Sequence, residues 1–272
     1  MANVLPFPRP IGDHLRLWRQ RRRRSQLDLA LDAEISQRHL SFIESGRAQP
    51  SREMVLRLAE TLEVPLRDRN ALLLAAGYAP VYPERALDDP GLAAARAIVD
   101  TMLRAHEPNP ALAVDRHWTL VTANAALAPL LTGITDPALL RPPVNVLRLS
   151  LHPGGIAPRI ANLPEWRHHI LERLRRQAAA SADPALETLL VELTALGGGD
   201  GPGGEAADAG VALPLLLDTP AGRLSFISTT TIFGTPTEVT LSELVIEAFY
   251  PADAATAERL RRLTAPATAA RA

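Results

Sequence analysis

Gln37, Arg38 and Ser41 are side chains whose donors and acceptors match the edges of DNA bases. Gln pairs bidentately with adenine and Arg with guanine, each pair worth ~1–3 kcal/mol of discrimination. Ser36, a favoured N-cap, opens the helix that would carry them and counts with them as a candidate contact. If Leu40 and Ile43 face inward, Gln37, Arg38 and Ser41 project from the opposite face, near the end of a reading helix that enters the major groove. Gln26 and the backbone amides at the start of the preceding helix, with Ser45 and Arg47 after the reading helix, stand where phosphate contacts are needed. The bland alternative for the same residues is a helical bundle with a solvated arginine-rich face.

A second set of residues suits an apolar small molecule. Asn145, Arg148 and His152 are polar groups in an apolar stretch, with Arg148 and His152 on one face if the segment is helical. Arg148 could hold a ligand carboxylate. Equally, Asn145 could cap a helix and Arg148 pair with a structural acid such as Glu247. Along the strand-like Arg223–Ser228, Leu224, Phe226 and Ser228 share one face, and Glu247 sits among apolar neighbours further on. Phe226, Ser228 and Glu247 are therefore candidate wall residues of an apolar pocket.

Other chemistry is poorly supported. Gly199-Asp200-Gly201-Pro202-Gly203-Gly204 satisfies G-x-G-x-x-G but lacks a preceding strand and a following helix, so it is expected to be a loop. His168-His169, with His152 and Glu165, lacks the spacing of a metal site, and a solvated helix face is the simpler expectation. Ser225 and Ser228 lie outside any G-x-S-x-G elbow. No enzyme activity, metal or cofactor is expected.

The elements that must position these groups fall into two sets. Apolar periodicity and capping signals predict five short helices in the first ~80 residues: from Ile11, from Ser25, from Ser36, from Ser51, and from about Asp68 to Ala76. Ser25-Gln26-Leu27-Asp28 has the form of a capping box, and only Ala33-Glu34-Ile35 separates the second helix from Ser36. This is an all-α five-helix, helix-turn-helix domain over 1–80. A linker and connecting helix over 81–105 lead to an α+β domain over 106–265 with an antiparallel sheet, and 266–272 is a disordered tail. In that domain Leu112–Asp115 and Thr119–Ala123 are expected to form a hairpin, and Ala125–Leu131, Pro164–Ala180 and Pro184–Leu196 helices. Val211–Asp218, Arg223–Phe233 and Val239–Phe249 are expected as strands.

The stretch SQLDLALDAEISQRHLSFIESGRAQPS, followed by LLLAAGYAP, resembles the Xre/Cro/C1 class of helix-turn-helix repressors. Gln26, Ala30, Gln37, Leu40, Ser41, Glu44 and Gly46 stand at that family's spacing. The resemblance implies that Gln26, Ser45 and Arg47 hold the DNA backbone, that Gln37, Arg38 and Ser41 face bases, and that Arg19 pairs with Glu44. One position departs: Glu34 stands where the turn usually has Gly, so a residue with a Cβ must turn left-handed at a cost of about 1 kcal/mol. Further on, RPPVNVLRLSLHPGG, LPEW, STTTIFGTPTEVTLSELVIEAFYPADAAT and the hairpin ending in Ala123-Asn124 are similar to the MmyB-like ligand-binding domain, a PAS-like fold. That likeness implies a small-molecule sensor, with fatty acyl compounds as the ligand class.

Bulk properties fit this reading. The net charge of −1 conceals a split: residues 1–70 carry 13 Arg against 9 Asp and Glu, and the rest 16 Arg against 21 acids. The excess positive charge lies where duplex DNA would bind. There is no cysteine, and no apolar run approaches the ~18 residues of a membrane span, so a cytoplasmic location is expected without membrane association. A homodimer is expected, because one reader helix spans too few base pairs for tight selective binding. Two alternatives stay open: an enzyme with an accessory helix-turn-helix, and a constitutive DNA-binding protein whose second domain only dimerises.

Overall fold

The computed structural model describes residues 9–181, 183–197 and 212–264. The chain divides into a first unit, running through Arg85 and including Pro236–Ser242, and a second made of Ala86–Thr235 and the chain from Glu243 onward.

The first unit contains α1 (Ile11–Arg21), α2 (Gln26–Asp32), α3 (Gln37–Glu44), α4 (Arg52–Thr61) and α5 (Leu66–Ala75). Three of them begin on a serine: Ser25, Ser36 and Ser51 each accept the amide of the residue three positions on, at 3.1, 3.1 and 3.2 Å. Each such cap is worth ~1 kcal/mol. Ser25 and Asp28 form the reciprocal capping box. The inward faces place Leu15, Trp18, Leu29, Leu40, Ile43, Leu58 and Leu72 in one core. α1 crosses the end of α3 so closely that a Cβ on Gly12 would lie 2.6 Å from the carbonyl oxygens of both Ile43 and Glu44. α5 starts at Leu66, two residues before the expected Asp68, with Pro65 at its N-cap.

The second unit opens with a 3₁₀ turn at Pro90–Leu92 and α6 (Ala93–Ala105), followed by the hairpin β1 (Ala111–Val114) and β2 (Leu120–Ala123). Ala125–Leu131, expected as a helix, is a 3₁₀ helix containing Pro129. Proline has no amide hydrogen and crowds the preceding turn, which disfavours α-helical bonding there. Then come α7 (Val146–Leu151), α8 (Leu163–Ser181), α9 (Pro184–Ala195), β3 (Leu215–Thr219) and β4 (Gly222–Ile232).

The expected strand Val239–Phe249 is corrected by the structure. Its start is a helical turn, α10 (Val239–Ser242), and only β5 (Val245–Pro251) is extended. The Glu238 carboxylate causes this turn by accepting the Leu241 amide at 2.8 Å and, through its other oxygen, the Arg85 amide at 2.8 Å. Residues 236–242 thereby belong to the first unit, where Val239 also donates to the Pro83 carbonyl at 2.9 Å. α11 (Ala254–Thr264), which periodicity had not suggested, follows β5 and is capped by Asp253 on the Thr256 amide. The expected glycine-rich loop at Gly199–Gly204, the strand start at Val211 and the tail 266–272 lie outside the described residues.

The sheet has the order β2-β1-β5-β4-β3, with every pairing antiparallel. Strand alternation gives it two apolar faces. Leu112, Val114, Leu217, Leu224 and Phe226 join Trp118, Trp166, Ile170, Leu174, Leu189 and Leu260 in one cluster, while Ala111, Ala113 and Ile246 join Val99 and Leu103 of α6 in another. The sheet is thus covered by α6 on one side and by α8, α9 and α11 on the other. Among the described residues no helix is long and apolar enough to cross a membrane.

Candidate DNA-reading helix and ligand cavity

The reader is built by a tight turn. Glu34 has φ 55°, the left-handed conformation that its position demands of a residue with a Cβ, and Ile35 donates to the Ala30 carbonyl at 2.9 Å. Ala30, almost fully buried, leaves room for α2 and α3 to pack together. Leu40 and Ile43 are wholly buried, so α3 turns Gln37 and Arg38 to solvent with Ser41 half-exposed beside them. Ser36 uses its hydroxyl oxygen as the cap. Beyond the helix, Gly46 (φ 74°) reverses the chain, and Ser45 and Arg47 stand exposed.

The guanidinium groups of Arg38 and Arg47 both lie against Phe42, at 5.3 and 5.9 Å from its ring centre. A shared aromatic surface restricts two long side chains before any partner arrives. Gln26 is half-buried and donates Nε2 to Glu44 Oε2 at 2.8 Å, so one of its amide hydrogens already ties α2 to α3.

Glu44 gathers several donors at the end of α3. Arg19 reaches it through Nε to Oε1 (2.6 Å) and Nη2 to Oε2 (2.9 Å), and Arg16 donates Nη2 to its backbone oxygen (3.0 Å). Burial alone would raise the Glu44 pKa, but the hydrogen bonds from Arg19 and Gln26 and the charges of Arg19 and Arg16 hold it below the usual carboxylate value.

In the second unit a cavity of about 320 Å³ lies between the sheet and the helices. Its walls are chiefly apolar: Leu112, Leu120, Leu130, Val146, Leu147, Ile170, Leu217, Phe226 and Phe249, with Trp118 and Trp166. The polar groups are few: Ser150, His169, Arg173, Ser228 and Glu247. This mixture is typical of small-molecule sites.

Arg173 of α8 spans to β5, donating Nη2 to Glu247 Oε1 (2.5 Å) and Nη1 to Oε2 (3.2 Å). Its guanidinium carbon lies 4.5 Å from the Trp118 ring centre. Trp166 donates Nε1 to Ser150 Oγ (3.1 Å) and stacks on His169 at 5.7 Å. Burial, then the charges of Arg173 and Arg176, lower the His169 pKa and favour the neutral ring.

Phe226, Ser228 and Glu247 line this cavity, whereas Asn145, Arg148 and His152 do not. Asn145 accepts the amides of Leu147 and Arg148 and so caps α7. Arg148 turns to α9 and pairs with Glu192 at 2.6 and 2.7 Å, a structural acid other than the Glu247 suggested for it. His152 follows the last residue of α7, and its Nδ1 accepts the Gly154 amide at 3.0 Å. α7 meets the cavity through Val146, Leu147, Leu149 and Ser150 instead.

The expectation of a solvated histidine face on α8 holds for His168 alone, since His169 is half-buried at the cavity. Trp166, His169, Ile170 and Arg173 were not anticipated as a group, although their i, i+3, i+4, i+7 spacing marks a single helix face.

Two capped helices at a tight turn, with the second one's polar face outward, define the first unit as a helix-turn-helix domain. Residues 10–72 match the family described as helix-turn-helix domain, and residues 95–263 match the MmyB-like transcription regulator ligand binding domain. The chain belongs to the MmyB-like transcription regulator ligand binding domain family, with a helix-turn-helix domain ahead of it. No curated protein matches the chain.

Proposed function

We propose that this regulator is an Xre-type, sequence-specific DNA-binding protein whose affinity for its operator is set by an apolar small molecule held in a PAS-like second domain. The observation that carries the reading is the cavity, apolar on nearly all sides with a few clustered polar groups, in a chain that also bears a reader helix. Gln37, Arg38 and Ser41 contact bases, while Gln26, Ser36, Ser45 and Arg47 contact the backbone. The ligand is an acyl-chain compound, the class that the apolar walls accommodate. The active form is a homodimer, because two readers one helical turn apart give the specificity that one lacks.

Linkage makes the proposal testable from both ends: a ligand that changes DNA affinity by some factor must itself bind DNA-loaded protein with the same factor of change. Native mass spectrometry of purified protein should show a dimer with a co-purified small molecule. Delipidation should then change the Kd for an operator recovered by binding selection, and ligand addition should restore it. Unchanged DNA affinity, with no bound molecule and no acyl compound shifting the Tm, would leave the second domain a dimerisation module.

A further inference from the structure

The two charges of the cavity are paired with each other, Arg173 to both oxygens of Glu247, and the neutral groups beside them are left with hydrogen-bonding capacity to spare. Both oxygens of Glu247 accept from Arg173, and Thr230 Oγ1 adds a third donor at 3.0 Å. The face of the guanidinium is covered by Trp118. By contrast, among the described residues the ring nitrogens of His169 and the hydroxyl of Ser228 have no hydrogen-bond partner, though both residues line the cavity. Ser150 accepts from Trp166, and its own proton has no acceptor among the described residues.

We propose that the cavity selects an amphiphile with an apolar chain and an uncharged hydrogen-bonding head, an alcohol or amide, over the corresponding free carboxylate. The proposal rests on the sensing role argued above and specifies its ligand. A carboxylate entering the cavity loses its water and meets an ion pair with no net charge, so it gains little attraction from Arg173 while approaching Glu247. A neutral imidazole offers one donor and one acceptor, as a hydroxyl or amide head requires, and Ser228 and Ser150 supply hydroxyls beside it. Lowering of the His169 pKa by burial and by Arg173 and Arg176 agrees with the neutral ring.

The test uses the full chain, delipidated, at pH 7.5, with decan-1-ol, decanamide and decanoate as probes matched in chain length. Binding is followed by quenching of tryptophan fluorescence, since Trp118 and Trp166 line the cavity. The better neutral probe should bind about tenfold or more tighter than decanoate, equivalent to ~1.4 kcal/mol. Glu247→Gln should strengthen decanoate binding about tenfold by freeing the Arg173 charge, so that the carboxylate gains on the neutral probes. Decanoate binding the unaltered protein as tightly as the neutral probes would overturn the proposal and leave the sensing role intact. Failure of all three probes would overturn both. The comparison in the unaltered protein stands even if Glu247→Gln does not fold.

Discussion

Arg19 and Glu44 form a two-pronged ion pair that joins α1 to the last residue of α3, with the carboxylate side chain only 1% exposed and the guanidinium side chain 12%. The reader helix therefore owes its placement to a polar contact as well as to Leu40 and Ile43. Removing either partner leaves the other's charge poorly compensated, so Arg19→Ala and Glu44→Ala should each destabilise the first unit by up to ~3–5 kcal/mol. A double-mutant cycle, read by hydrogen exchange in α1 and α3, should show a coupling of ~0.5–3 kcal/mol. Additive effects would mean that the pair contributes nothing as a pair.

Acid should weaken the same contact. The folded-state pKa of Glu44 lies below its ordinary value of 4.5: burial opposes this, but Arg19, Gln26 and Arg16 prevail. A depressed carboxylate contributes stability that is complete above its unfolded pKa and disappears as the pH falls through its folded pKa. The stability gap between the unaltered chain and Glu44→Gln should accordingly be widest near neutrality and shrink below about pH 4.5. A gap that is constant from neutrality to pH 3 would show that the carboxylate charge is irrelevant.

Arg38 and Arg47 share the Phe42 ring but should differ in role. Arg38→Ala should relax base preference at one position, a loss of ~1–3 kcal/mol in discrimination. Arg47→Ala should weaken binding evenly across sequences and reduce the salt slope by about 1. Binding selections with each variant, repeated at two salt concentrations, would separate these outcomes, and an equal loss of preference in both would abolish the distinction. Phe42→Ala, which removes the common surface, should impair both properties together.

Ser228 lines the cavity from β4, opposite Phe249 in the register. Ser228→Trp should fill that space and abolish ligand binding while leaving DNA affinity close to that of the ligand-free protein. Calorimetry with the best neutral probe and fluorescence anisotropy on operator DNA would measure the two effects. Retained ligand binding would place the ligand elsewhere.

Arg148 provides the contrasting case. Its pair with Glu192 is well exposed, at 43% and 39% for the two side chains, so losing it should cost no more than ~1 kcal/mol. Arg148→Ala should bind the cavity probes as well as the unaltered chain does, as thermal-shift titration would show. A marked loss of affinity would indicate that α7 moves when ligand enters.

The helix-turn-helix was legible because its information is local. A serine cap determines where a helix begins and apolar spacing determines which face is buried, while the left-handed Glu34 was expected from the family resemblance, which puts Gly at that turn. Even the Arg19–Glu44 pair followed from positions on known helix faces, aided by a family resemblance. On β4, strand alternation likewise put Phe226 and Ser228 on one face, which lines the cavity, while the register decided that the Glu247 face of β5 joins it. What sequence periodicity could not decide was partner choice across the fold. Arg148 and Arg173 are the same chemical group on two short-range patterns, and only packing sends one to Glu192 and the other across to Glu247. The α10 turn shows the same limit: Val239–Ser242 has strand-like composition, yet a carboxylate at Glu238 that caps it and binds the Arg85 amide, 153 residues away in sequence, is enough to make it helical. Local rules determine what an element is; long-range hydrogen bonds and ion pairs, which depend on which surfaces meet, determine what its polar side chains do.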